Sequence, residues 1–544
     1  MFLFKSDWDL TGSVNLTLPS DAICLYIREE KKRGGAGMNR EPLIGIGISA
    51  VIIILVGICL FHRLSEREQL LQRFSEFEMQ CQEKKAQGYN ISEAEELARK
   101  AKQAFDKKNY AEASNLLDEA FEILRRIPTI PDEVKVKARE RLSCIRVVIS
   151  YTTITDGKLF NRSYDDIVNI LKEVKTDFIF NAFHCWYTCP EHCEDIAKAP
   201  EGCIGNKNVQ ELILKCQEHG YSYAEFQNAV TKIKAEIPDV IIGVALPIEF
   251  LNKCSRNSLT GIYFLKDKTW EMALDPSKWG ITDANGRLIT RERFQCNWAK
   301  RHEWTETCEG YDPKEQMPFY FPDITNSAFQ ELYLSHAKRL IDAGADAIWI
   351  DMLYKPAKLL ARLSEDPRHQ SVKESFEAAS RIVDEIHMYG ISKGKWVYVG
   401  TWGQIEDTPF PPADLDFVTL TIPPDEILSM RLDESAWDEK LNAVRKHHPG
   451  ARIFIFFDYG YPNSPAEVFS QRLTQEEQRE FLRMADEFFA KKNVTLIYPV
   501  HGPFMGENIE VLSFGKFRAY DSLAPEFKTY ETIKELARTR EGEK

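Results

Sequence analysis

Eight short apolar runs follow Val134, and amphipathic stretches separate most of them. Apolar runs of about four to eight residues are typical of strands buried on both faces, and helical spacing between them favours a parallel sheet. The predicted strands are Arg146–Tyr151, Phe178–Phe183, Val240–Leu246, Ala347–Asp351, Trp396–Gly400, Phe417–Thr421, Ile453–Phe457 and Val494–Tyr498. The predicted helices include Asp165–Val174, Tyr223–Ile237, Lys373–Met388, Ala436–His447 and Gln475–Lys491.

This count and order predict an α/β fold, a (β/α)8 TIM barrel with long βα-loop insertions, over residues 134–540. A doubly wound open sheet is the alternative. That fold would carry a glycine-rich phosphate turn after its first strand, and the stretch Thr152–Asp156 contains no glycine.

The apolar pattern upstream of the barrel is different. Residues 42–61 contain no charged side chain, and about twenty apolar residues are enough for a helix to cross a bilayer. We therefore expect a single transmembrane helix that anchors the protein in the cell membrane. Residues 1–41 form a separate segment, and the glycine-rich stretch Arg33–Gly37 just before Met38 suggests that translation starts at Met38.

Residues 64–127 are rich in Glu, Lys, Ala and Leu and contain no proline, which predicts helices. The segment Ala101–Leu124 resembles one tetratricopeptide-type helical pair, with alanine and aromatic residues at the contact positions. Repeat arrays need several neighbouring units to bury a core. We therefore expect a helical stalk or docking hairpin, available for a protein contact, rather than a peptide-binding solenoid.

Composition narrows the class of partner. The formal net charge is -13, and the sequence has no long basic run, which argues against a nucleic-acid partner. Small neutral or carbohydrate-like substrates fit this charge better. Aromatic residues make up 11% of the chain and supply flat faces on which sugars can stack.

Polar and aromatic residues follow the predicted strand ends. Because the carboxyl ends of barrel strands surround one mouth, where such enzymes hold their reacting groups, we expect these residues to line a site. The candidates for substrate binding are His184, Trp186, Tyr354, Trp402, Glu406, Tyr459 and His501.

Glycosidic hydrolysis needs two carboxyl groups, and three candidates follow strands. Asp351 ends the fourth strand and is predicted to be the nucleophile. Asp458 is the leading candidate for the acid/base, because the apolar wall of Phe456 and Phe457 would raise its carboxyl pKa. Glu249 is the second choice. Glu406 or Asp425 is the third, and a loop-capping role is the alternative for each of these groups.

The stretches Asp323–Phe329 and Ala343–Met352 resemble the barrel glycoside hydrolases. These include the α-glucosidase group, whose nucleophile lies in a Trp-x-Asp-Met run at the end of the fourth strand. That group continues with Asn-Glu, whereas Leu353 and Tyr354 follow here. The stretches around Phe457–Gly460 and Tyr498–Gly502 are similar to uncharacterised glycosidases of archaea and bacteria. The resemblance implies a glycosidase with Asp351 as nucleophile, and neither a cofactor nor a metal is predicted.

Two alternatives remain beside this interpretation. A non-catalytic carbohydrate-binding barrel would keep the aromatic rim without a working carboxylate pair. An iron–sulfur radical enzyme is suggested by the spacing of Cys185, Cys189 and Cys193, which departs by one residue from the common motif. A zinc site using these cysteines with His184 or His192 would have no recognised spacing.

The cysteines also bear on localisation. Ten follow the predicted membrane span, and the even number in loops and insertions favours disulfides. We expect at least one disulfide among Cys185, Cys189, Cys193 and Cys203, and an extracytoplasmic barrel domain.

Overall fold

The computed structural model describes residues 66–82, 84, 91–126, 132–185, 200, 221–403, 409–504 and 519–542. They fall into two compact units, a helical unit that ends at residue 126 and a barrel unit that begins at residue 132. Within the described ranges, no helix has both the length and the apolar composition that a bilayer crossing requires. The predicted span, residues 42–61, lies outside those ranges.

The helical unit contains a helix over residues 66–82 (α1), then α2 (Ser92–Asp106) and α3 (Tyr110–Arg126). Ala101 on α2 and Ala113 and Ala120 on α3 are fully buried. Small side chains at these positions let the two helix backbones approach closely. Phe105 and Tyr110, whose ring centroids lie 5.5 Å apart, pack together where α2 turns into α3.

The barrel unit is built on eight parallel strands. In barrel order they are β1 (Val148–Tyr151), β2 (Phe178–Phe180), β3 (Ile241–Pro247), β8 (Ala347–Asp351), β9 (Tyr398–Trp402), β10 (Phe417–Thr421), β11 (Arg452–Phe456) and β12 (Thr495–Phe504). The first strand pairs in parallel with both the second and the last, with Val148 opposite Phe178 on one side and Ile497 on the other. The sheet is therefore closed, and the predicted (β/α)8 barrel is confirmed.

The helices of the barrel unit are α4 (Asp132–Ser143), α5 (Tyr164–Glu173), α6 (Tyr223–Glu236), α7 (Lys266–Glu271), α8 (Arg291–Arg301), α9 (Pro313–Gln316), α10 (Ser327–Asp342), α11 (Lys355–Ser364), α12 (Gln370–Ser392), α13 (Pro424–Leu428), α14 (Glu434–His447), α15 (Pro465–Arg472), α16 (Gln475–Lys491) and α17 (Tyr530–Glu541). The start of α16 shows why a boundary could be predicted closely. The Glu477 backbone N–H donates to the Thr474 hydroxyl at 3.2 Å, and the Thr474 N–H donates to the Glu477 carboxylate at 2.7 Å. This capping box fixes the first turn.

The barrel interior is aromatic. Its buried side chains include Phe178, Phe180, Trp349, Phe417, Phe454 and Phe456. Glycine is required beside them, because a Cβ on Gly243 would lie 2.7 Å from the Phe178 ring. Helix α4 closes the amino-terminal end, where Ala138 and Leu142 join the same interior cluster and the Tyr398 hydroxyl donates to the Ala138 carbonyl at 3.2 Å. The carboxyl end of the strands is thus the end at which a site can form.

A long insertion, residues 248–323, lies between the third and fourth barrel strands. It contains the short strands β4 (Leu251–Asn252), β5 (Ser255–Arg256), β6 (Tyr263–Phe264) and β7 (Phe319–Tyr320), besides helices α7, α8 and α9. Near the carboxyl terminus, β13 (Ala519–Asp521) pairs antiparallel with β12.

A disulfide joins Cys296 to Cys308 within the insertion, and Cys254 is also disulfide-bonded. The predicted disulfide of the loop after the second barrel strand does not involve Cys185, which is a buried free thiol. Cys189, Cys193 and Cys203 lie outside the described residues.

Candidate active site

Asp351 lies where the sequence predicts it, at the carboxyl end of the fourth barrel strand. Ala347 and Trp349 belong to the barrel interior, whereas Ile348 and Ile350 pack with the surrounding helices. The alternation of side chains along a strand therefore turns Asp351 inward, one step beyond Trp349. Its side chain is 4% exposed. Met352 follows with a left-handed φ of 62°, a conformation that costs a non-glycine residue energy and that often occurs at functional sites.

Asp458 reaches the same mouth from the seventh barrel strand. Phe454 and Phe456 face the interior, and the same alternation turns Asp458 inward beyond them. The Asp458 backbone N–H donates to the Thr421 hydroxyl at 3.2 Å, which ties the end of this strand to its neighbour. The Tyr459 N–H donates to the Asp458 carboxylate at 2.9 Å.

Glu249 follows the third barrel strand, in which Pro247 is the partner of Asp351. Its side chain is completely buried and forms an ion pair with Lys355, the first residue of α11. The Lys355 ammonium also lies over the Trp298 ring, 4.9 Å from its centroid. Trp298 is on α8, so the insertion covers the ammonium that pairs with this carboxylate.

The three carboxyl groups share one electrostatic environment. Burial raises the pKa of Asp351 well above its ordinary value, and the negative charges of Glu249 and Asp458 raise it further, while the Lys355 ammonium and the Met352 N–H oppose the shift. Burial raises the pKa of Asp458 to about 7, against the hydrogen bonds from the Tyr459 N–H and the Tyr461 hydroxyl. At neutral pH the site can therefore contain a protonated carboxyl group as well as an ionised one.

Tyr459 and His184 come together at the mouth. The Tyr459 hydroxyl lies 3.4 Å from His184 Nδ1 and accepts a hydrogen bond of 2.8 Å from the Asn181 side-chain amide. Asn181 has a left-handed φ of 59°, and its Oδ1 is buried with no hydrogen-bond partner within the described structure. Sequence reasoning missed Asn181. The available signal was its place directly after the second strand, where asparagine tolerates a left-handed turn.

His501 is buried in a charged network rather than open to the mouth. Its Nδ1 lies 2.5 Å from the Asp521 carboxylate, which also pairs with Arg162 at 2.6 Å, and its Nε2 lies 3.2 Å from the Asp156 carboxylate. These carboxylates raise the pKa of His501 to about 9 despite its burial. In this structure both ring nitrogens of His501 face carboxylates. Substrate binding by His501 stays a prediction.

The other predicted binding residues are spread more widely. The Tyr354 hydroxyl accepts a hydrogen bond of 2.9 Å from the Ala413 N–H, and its ring stacks on Phe376 in the helical layer. Trp402 ends the fifth barrel strand and packs, partly buried, against the barrel interior. Trp186 and Glu406 lie outside the described residues. Within the described parts of the chain, no cluster of His, Cys, Asp and Glu side chains has the arrangement of a metal site.

No protein-family model and no curated protein matches the chain. Solved structures do resemble it. A trehalose-6-phosphate hydrolase from Bacillus licheniformis is 11% identical, with a TM-score of 0.37 and coverage of 74% of this chain and 84% of that one. Amy13B of Eubacterium rectale is 11% identical, with a TM-score of 0.36 and coverage of 73% and 77%.

The glycoside hydrolase domain of PelA from Pseudomonas aeruginosa is 12% identical, with a TM-score of 0.27 and coverage of 50% of this chain and 83% of that one. These structural neighbours are glycoside hydrolases, and at identities of 11% to 12% the likeness of this chain to them is one of fold.

Proposed function

We propose that the barrel unit hydrolyses O-glycosidic bonds with a pair of carboxyl groups at the mouth of the barrel. One observation carries the proposal. Asp351 and Asp458 project inward from the ends of the fourth and seventh barrel strands, just beyond the aromatic interior, and burial raises the pKa of both carboxyl groups. A glycosidase needs one carboxyl group that keeps its proton and a second that gives it up, at the same pH.

The two groups are electrostatically coupled. When Asp458 is protonated, it no longer places a negative charge beside Asp351, and one of the smaller causes of the raised Asp351 pKa disappears, while burial, the largest cause, remains. In the proposed mechanism the singly protonated pair consists of neutral Asp458, which donates a proton to the leaving oxygen, and ionised Asp351, which attacks or stabilises the anomeric carbon. Tyr459 and His184 are proposed to bind the sugar beside Asp458.

The substrate is proposed to be a glycan outside the cell, with the protein held at the membrane by residues 42–61. The length of that apolar stretch and the disulfide of the insertion support this location. Fractionation of cells that express the full chain tests the anchor. Release of the protein by carbonate or salt, without detergent, would refute it.

A screen of the full chain in detergent against aryl glycosides and cell-surface glycans tests the hydrolase. The matched control is the Asp351→Asn, Asp458→Asn double variant, prepared in the same way. We expect hydrolysis by the natural sequence and none by the control. Glycan binding by both proteins without hydrolysis by either would instead support a non-catalytic carbohydrate-binding barrel.

A further inference from the structure

Lys355 occupies an unfavourable place for a cation. It is the first residue of α11, and a helix amino terminus carries a partial positive charge that disfavours lysine. Its side chain is only 11% exposed, and it pairs with the completely buried Glu249. Burying both charges costs solvation that their attraction must offset. The Lys355–Glu249 pair is thus unfavourable both in its place at a helix amino terminus and in its burial. Its effect on the neighbouring Asp351 explains its presence at the mouth of the barrel best.

The groups around Lys355 come from three parts of the fold. Glu249 follows the third barrel strand, Asp351 ends the fourth, and the Trp298 ring on α8 covers the ammonium at 4.9 Å. His302, which caps the end of α8, is electrostatically coupled to Lys355. Burial, the Lys355 charge and the Arg301 charge lower the pKa of His302 to about 3, so it is neutral and adds no positive charge.

Among the described residues, the larger electrostatic influences on Asp351 are mostly negative. Glu249 and Asp458 act on it with negative charge, and Tyr459 lies close enough to interact with it. Lys355 is the cation that opposes them, together with the dipole of the Met352 N–H. Without Lys355, the Glu249 charge would act on Asp351 uncompensated.

We infer that Lys355 is a positioning residue of the proposed hydrolase: paired with Glu249 under Trp298, it neutralises that carboxylate and so allows Asp351 to ionise. The inference rests on the proposed function for its purpose, but the charge relationship can be measured without a substrate. It also assigns Glu249, which has no exposed surface, to the support of Asp351 rather than to contact with a sugar.

Removal of the positive charge and removal of the negative charge should shift the Asp351 pKa in opposite directions. Lys355→Met removes the positive charge beside Glu249 and should raise the Asp351 pKa, whereas Glu249→Gln removes a negative charge and should lower it. A nearby charge commonly changes a carboxyl pKa by about 1 to 3. Lys355→Arg should stay close to the natural sequence, and the Glu249→Gln, Lys355→Met double variant should return towards it. If the ion pair had no electrostatic effect on Asp351, the two single variants would not shift its pKa in opposite directions.

The measurement is a pH titration of carboxyl 13C resonances in the full chain labelled at aspartate, with the Asp351 signal identified by its loss in Asp351→Asn. Lys373→Met, which removes an exposed lysine from α12, is the control for loss of charge and should leave the titration unchanged. Shifts of the same sign in Lys355→Met and Glu249→Gln, or no shift in either, would overturn the inference. If Lys355→Met does not fold, the direction of the Glu249→Gln shift decides.

The outcome separates the two proposals. Opposite shifts together with hydrolysis support both, and the acidic limb of kcat/KM should then follow the Asp351 titration in each variant. Opposite shifts in a protein that cleaves no glycan would keep the charge relationship and remove its catalytic purpose. Hydrolysis with unshifted titrations would keep the hydrolase and remove the role of Lys355.

Discussion

Trp349 and Thr419 are joined by a buried hydrogen bond, in which the indole Nε1 donates to the threonine hydroxyl at 3.0 Å. The two residues face the barrel interior from the fourth and sixth strands. Trp349 is one inward step below Asp351, and its ring also packs edge-on against Phe180 and Phe456. The floor of the candidate site therefore includes a buried hydrogen bond inside an aromatic layer.

Thr419→Val should lower the free energy of unfolding by about 1–3 kcal/mol, because it keeps the side-chain shape and leaves the Trp349 N–H buried without its acceptor. Urea unfolding of the full chain checks this. Thr231→Val, on the exposed face of α6, is the matched control and should have little effect. In the Trp349→Phe, Thr419→Val double variant, the free energy of unfolding should fall by less than the sum of the decreases in the two single variants. Strict additivity would show that the hydrogen bond contributes nothing.

The His501 network predicts a loss of stability at alkaline pH. The folded pKa of His501 is about 9, above the ordinary value of 6.5, so the charged form stabilises the fold. That contribution is complete below pH 6.5 and is lost as the pH rises through about 9; from the shift it amounts to about 3 kcal/mol at most. Unfolding of His501→Gln should show a flatter pH dependence across this window.

Burial raises the pKa of Asp156, whereas the His501 and Arg162 charges, acting against burial, hold the pKa of Asp521 below its ordinary value. The comparison with the natural sequence is made between pH 6.5 and 9, where His501 loses its charge. An unchanged slope in His501→Gln would contradict the prediction.

The periodic parts of the fold could be predicted from sequence. Buried parallel strands are short apolar runs whatever their neighbours, and each of the eight barrel strands overlaps a predicted one. The strand ends also identified Asp351, Asp458 and Glu249 as neighbours, because closure of a barrel brings alternate inward positions to one mouth.

Contacts that depend on the path of a long loop could not be predicted. Trp298 reaches Lys355 through an insertion whose short strands carry no clear period, and nothing local in the sequence fixes where α8 packs. His501 was expected at the site because it follows a strand. Its burial depends on Asp521, which lies on β13 alongside β12. The sequence before β13 contains no pattern that predicts this antiparallel pairing.

The disulfide between Cys296 and Cys308 predicts a specific thiol pattern. In the unfolded but unreduced full chain, alkylation should modify Cys185 and spare both of these cysteines, since they are bonded to each other. Peptide mass spectrometry reads the pattern directly. Alkylation of both without a reductant would show that the pair is reduced, and would argue against an extracytoplasmic barrel.

The same bond should stabilise the insertion. It closes a loop with a sequence separation of 12, for which chain entropy gives roughly 3 kcal/mol. Cys296→Ser, Cys308→Ser should therefore unfold at lower urea than the natural sequence. Cys144→Ser, at an exposed free thiol, is the control and should unfold unchanged.

Asp351 and Asp458 should respond differently when each is changed to asparagine. Asp351→Asn removes the charge that attacks or stabilises the anomeric carbon, so kcat should fall by about 10³-fold or more for every substrate, with the fold and glycan binding kept. Asp458→Asn removes the proton donor. It should slow glycosides with poor leaving groups far more than activated aryl glycosides, and it should abolish an alkaline limb of kcat/KM near the Asp458 pKa of about 7.

The measurement is kcat/KM against pH for aryl glycosides of graded leaving-group pKa, with circular dichroism as the check on folding. Asp165→Asn, at the exposed start of α5, is the matched control and should retain activity. An Asp351→Asn protein that works at near the natural rate would refute the site. One that unfolds would favour the loop-capping role, because Asp351 ends a strand where a carboxylate can hold the turn, here through the Met352 N–H.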